Sequence, residues 1–139
     1  MNTTELFDVA QNSNIPVILL DIPENGSMYI QSDRKYYIGM DYGVLESEAD
    51  KRVHLAHELG HCATGSFYNR WAAQDIRQRH ENRADKWAIS RLIPRNEFDR
   101  ALSIGLTSPW ELAEHFGVTE TFAMKAMCLY LHGNLDISL

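Results

Sequence analysis

With 139 residues, 45% of them hydrophobic and 23% charged, the chain is long enough for one hydrophobic core and has the composition of a globular protein. Its formal net charge of −6 argues against a partner gripped through nucleic-acid phosphates, yet is no obstacle to a basic protein partner. No apolar run approaches the roughly 18 residues of a membrane span, and Met1-Asn2-Thr3-Thr4-Glu5 lacks the basic-then-apolar layout of an export signal, so the expected compartment is the cytoplasm.

Residues 4–11 are expected to form a short amphipathic helix, with Leu6, Phe7, Val9 and Ala10 on its apolar side. Asn12-Ser13-Asn14 ends it. Val17-Ile18-Leu19-Leu20 then reads as a buried strand, closed by a turn at Pro23-Glu24-Asn25-Gly26. Met28–Gln31 and Lys35–Met40 are two further strands around a turn at Asp33-Arg34. Together they suggest a small antiparallel sheet of about three strands. Tyr36–Met40 is the candidate for pairing edge to edge with an extended substrate; a plain structural hairpin fits equally well.

Ser47-Glu48-Ala49-Asp50 has the form of a capping box and opens the next helix, with Gly65 as its stop. This helix carries His57-Glu58-Leu59-Gly60-His61. Residues four apart lie on one helical face, so His57 and His61 can offer imidazole nitrogens to one metal ion, with Glu58 beside them to handle a water's protons. His54, His57, Glu58 and His61 share one sector of roughly 100° at the 100° per residue of a helix. Apolar residues cover nearly all the rest, as expected of a helix buried on most sides. A buried helix should not collect unpaired polar groups on one stripe. The competing reading is a solvated polar edge. Cys62 points away from the stripe and reads as a small core residue; with Cys128 far off, a disulfide in a reducing compartment is not expected.

Catalytic zinc usually takes three protein ligands and leaves a position for water. A third histidine shortly downstream is lacking, since Phe67 occupies that position. Residues 66–78 are expected to be a loop holding Phe67, Tyr68 and Trp71. His80-Glu81-Asn82-Arg83-Ala84-Asp85-Lys86-Trp87-Ala88 reads as a second helix, on which Glu81, Asp85, Ala88, Ile89 and Leu92 share a face. That face could deliver Glu81 to the metal, while Asp85 accepts the spare N–H of a ligating imidazole. An ordinary charged face is the plainer alternative. Tyr68 or His80 could help stabilise an oxyanion, although packing or surface roles suit both better.

Pro94 ends the Glu81 helix, and another covers residues 95–104. Ser108-Pro109-Trp110-Glu111 is a strong helix start, broken at Gly117; Thr119 caps a last helix to His132. The helix, glycine turn and helix resemble a helix-turn-helix. The last helix has one lysine and no arginine, too little for reading DNA, so a packing unit or partner-docking surface is the better reading. The fold class is therefore α+β: a sheet packed on a buried zinc-site helix, then a helical C-terminal half. One domain is expected over 1–139, with the sheet and metal helices in 1–94 and a helical subregion in 95–139.

His57-Glu58-Leu59-Gly60-His61, then Glu81-x-x-Ala84-Asp85-x-Trp87-Ala88, then Leu92-Ile93-Pro94 resemble the ImmA/IrrE family of metallopeptidases. The likeness runs from Tyr36 to Pro94, with a looser match over the helices that follow. The resemblance implies zinc held by His57, His61 and Glu81, with Glu58 as the catalytic carboxylate. It also implies a phage, mobile-element or stress-response setting, and cleavage or inactivation of a helix-turn-helix transcriptional repressor.

Three functions are thus weighed. The favoured one is an intracellular zinc endopeptidase with a narrow protein substrate. The second is a metal-loaded regulator that binds a repressor with little or no proteolysis. The third, a DNA-binding regulator with incidental histidines, is opposed by the acidic charge. Manganese or iron could also occupy a His/His/Glu site.

Overall fold

Side-chain caps mark four of the six described helix starts. The computed structural model describes residues 1–69 and 71–135. Helix α1 (Thr3–Asn12) is capped by Asn2, whose side chain accepts from the Glu5 N–H while Glu5 reaches back to the Asn2 N–H. Ser47 caps α2 (Glu48–Thr64), and Gly65 closes it with φ +64°, a left-handed conformation that favours glycine. Helix α3 spans Gln74–Leu92, α4 Arg95–Ser103, α5 Pro109–Phe116 and α6 Glu120–His132. Ser108 and Thr119 cap the last two, as their sequences suggest.

The three strands are β1 (Val17–Leu19), β2 (Ser27–Ser32) and β3 (Lys35–Met40). β2 and β3 form the expected hairpin around Asp33 and Arg34, both with positive φ, the conformation that a tight two-residue turn requires. The α+β class holds, but the sheet is mixed rather than antiparallel. β1 pairs parallel to β3, with Val17 opposite Ile38, and the order is β1-β3-β2. The reason is the connection: residues 20–26 carry the chain past β3 to its far side, so β1 and β2 flank the same strand.

That order also corrects the expected edge strand. Tyr36–Met40 lies in the central strand, paired with β2 along its whole length and with β1 over Ile38–Met40. Among the described residues, β2 has a free edge.

Side-chain alternation along β3 sends Ile38 and Met40 into the core. There they join Leu55, Ala56 and Leu59 of α2, Leu6 of α1, and Ala88 and Ile89 of α3, all almost fully buried. Apolar neighbours on several sides make α2 the central helix, and its polar stripe faces the one direction they leave open. Phe98 of α4, Leu112 of α5 and Phe122 of α6 extend the same core. No described helix is long and apolar enough to cross a membrane.

Candidate metal centre

Two helices assemble the centre. α2 presents His57 and His61 one turn apart, and α3 presents Glu81 opposite them. The His57 Nε2 lies 2.7 Å from one Glu81 carboxylate oxygen, and the His61 Nε2 lies 3.3 Å from the other. The two Nε2 atoms are 3.2 Å apart. One ligand atom from each of the three residues falls within 4.8 Å of the others.

The fold fixes which ring nitrogens face inward. His57 Nδ1 lies 2.7 Å from an Asp85 carboxylate oxygen, and His61 Nδ1 lies 2.7 Å from the Ser66 carbonyl oxygen. Both partners are acceptors, so both Nδ1 atoms carry hydrogens and both neutral rings turn Nε2 lone pairs toward each other. Two lone pairs and a carboxylate at such distances repel unless a cation lies among them. The donor set therefore fits a divalent metal of the kind bound by nitrogen and oxygen ligands.

Without a metal, a proton takes that part. Burial pulls His57 down, but its bonds to Asp85 and Glu81 outweigh it and lift the imidazole to about 10. Burial pushes Glu81 up, and the bonds from His57, His61 and Tyr68 reverse this, holding its carboxyl far below the usual range.

Asp85 lies against His57 through one carboxylate oxygen. Its second oxygen accepts from Lys125 Nζ of α6 at 3.1 Å, a contact that the sequence did not reveal. Glu58 lies one position past His57, buried, with one carboxylate oxygen accepting from Ser27 Oγ at 2.7 Å. Ser27 Oγ also lies 2.7 Å from His54 Nδ1. Burial raises the Glu58 carboxyl, opposed by His57 and by the Ser27 hydrogen bond.

Ser27 was missed, although a signal existed. Strand alternation puts 27 and 29 on the α2 face once the strand begins at Ser27 rather than Met28.

The proposed loop residues divide. α3 begins at Gln74, shortening the loop expected over 66–78. Phe67 packs between Tyr29 and Tyr36, each 5.0 Å away between ring centres. Trp71 is largely exposed. Tyr68 enters the site: its hydroxyl donates to Glu81 at 2.6 Å, and burial and the Glu81 charge raise its pKa. His80 stacks on the Tyr68 ring at 5.9 Å.

His57, Glu58, His61, Tyr68, Glu81 and Asp85 line a cleft of about 1040 Å³, walled also by Ser27, Met28 and Tyr29 of β2 and by Thr121, Phe122 and Lys125 of α6. Helix α6 thus contributes a wall of the cleft, with its one lysine turned toward Asp85. His61 is almost fully buried, whereas His57 and Glu81 keep 22% and 30% side-chain exposure, so the centre is open toward the cleft and closed behind.

A family model described as Peptidase_M78, the IrrE N-terminal-like domain, matches residues 10–127. No curated protein and no solved structure matches the chain.

Proposed function

Because the chain belongs to the IrrE N-terminal-like metallopeptidase family, we propose that it is a zinc-dependent endopeptidase of narrow specificity, acting in the cytoplasm on a helix-turn-helix transcriptional repressor. The observation that carries the reading is the convergence of His57, His61 and Glu81, with the buried Glu58 carboxylate on the same helix face. Two histidines and one carboxylate, open on one side, are the ligand set of a catalytic rather than a structural zinc. The repressor as substrate is supported by the family resemblance.

A divalent ion held by these three residues supplies Lewis acidity toward a peptide carbonyl and an attacking water. Asp85 and the Ser66 carbonyl fix the two rings in the ligating tautomer and orientation. Glu58 takes the proton released by the water and passes it to the leaving amine, a task suited to a carboxyl whose pKa burial has raised. The Ser27 hydrogen bond holds one Glu58 oxygen and leaves the other for that transfer. The free edge of β2 offers backbone groups to an extended peptide along the cleft.

The test uses intact candidate repressor incubated with zinc-loaded wild type and with Glu58→Gln, followed by mass spectrometry. Fragments made by wild type alone support the peptidase. Equal loss of repressor function with both proteins and no fragments would instead favour the regulator that acts by binding.

A further inference from the structure

Two buried side-chain nitrogens lack a hydrogen-bond partner among the described residues, Arg77 Nε and His80 Nδ1. They lie three residues apart, on one face of α3. Buried polar groups are normally satisfied, so a pair of unsatisfied ones at the edge of a cleft calls for a reason. Arg77 lines the cleft, and His80 stacks on Tyr68, which also lines it.

The charges around Arg77 sharpen the point. Each acidic group lining the cleft is committed elsewhere: Asp85 to His57 and Lys125, Glu81 to the two histidines and Tyr68, Glu58 to Ser27, and Asp50 to the Ser47 cap. The cleft's other long cation, Lys125, is paired with Asp85. Arg77 is left facing the cleft as a partly desolvated guanidinium with no counter-ion among the described residues. A planar guanidinium in that state is suited to a carboxylate, which it can bind through two parallel hydrogen bonds.

We propose that Arg77 is a specificity residue, forming a subsite that takes a carboxylate of the peptide substrate. This rests on the peptidase reading. Arg77 lies one helical turn, about 6 Å, before the metal ligand Glu81. An extended peptide advances about 3.3 Å per residue, so the recognised carboxylate belongs to a residue roughly two positions from the scissile bond. It is either an Asp or Glu side chain or the carboxylate of a chain end.

The test selects a degenerate peptide mixture, prepared once with free and once with amidated C-termini, on immobilised zinc-loaded Glu58→Gln protein. Bound peptides are identified by mass spectrometry and compared with those that wild type cleaves. The expected result is about tenfold enrichment of carboxylates at one offset, the scale of a charge-assisted hydrogen-bonded pair. Adding Arg77→Gln should remove the enrichment, Arg77→Lys should keep part of it, and Arg77→Glu should turn the preference toward basic residues. Enrichment that survives amidation identifies a side chain, and enrichment lost on amidation identifies a chain end. Binding or cleavage without carboxylate preference, or a preference unchanged in folded, zinc-replete Arg77→Gln, overturns the subsite. Carboxylate selection with no cleavage by wild type would count against the peptidase reading and leave the subsite standing.

Discussion

A Cβ placed on Gly60 would lie 2.5 Å from the carbonyl oxygen of Ala84, so α2 and α3 touch backbone to backbone beside His57, His61 and Glu81. Only glycine permits that approach, because the neighbour is a helix carbonyl rather than the movable end of a side chain. The contact brings Glu81 within reach of two histidines on another helix.

Gly60→Ala should therefore be destabilising, although alanine is the better helix former by about 1 kcal/mol. Overpacking against backbone costs about 1–3 kcal/mol and outweighs that gain where the helices cannot part. Urea unfolding should show a net loss of stability, accompanied by weaker zinc retention against a chelator. An unchanged midpoint with full zinc affinity would mean that the close contact is not needed.

Metal uptake should be linked to a proton. His57 has an ordinary value of 6.5 and rises to about 10 in the metal-free fold, where burial is outweighed by its bonds to Asp85 and Glu81. The folded value is the higher one, so this group's contribution to stability is full below 6.5 and is lost as pH climbs toward 10. A metal needs the Nε2 lone pair, so binding at about pH 8 should release roughly one proton. Apparent affinity should rise with pH across the same window. Calorimetry in two buffers of different ionisation enthalpy measures the release; none at all would contradict the pairing described for His57.

Ser27→Ala should leave the metal in place and impair turnover. Its hydroxyl is fully buried between His54 and Glu58, and the bond to Glu58 is one of the influences that keep that carboxyl from rising further. With the bond gone, Glu58 should stay protonated to higher pH, and the acid limb of the pH–rate profile should move up. Loss of the buried hydrogen bond should also cost about 1–3 kcal/mol in denaturant unfolding. An unmoved acid limb in a variant with full zinc would remove Ser27 from the machinery.

What could be read in advance was local. The stripe of His57, Glu58 and His61, the shared face of Glu81 and Asp85, and the caps at Ser47, Ser108 and Thr119 are all patterns within one turn of helix. The parallel pairing of β1 was not legible, since it depends on where residues 20–26 lead the chain. The early start of α3 left no trace, because Ala73 precedes it without a side-chain cap. Lys125 meets Asp85 across 40 positions, and nothing near either residue announces the contact.

The most direct measurement is elemental analysis of wild type and Glu81→Ala, purified side by side without a metal-binding tag. Near-equimolar zinc in wild type, and much less in the variant, is the expected result. Wild type that is metal-free and takes up no added zinc would contradict the metal centre and leave His57, His61 and Glu81 as a hydrogen-bonded cluster in the wall of the cleft.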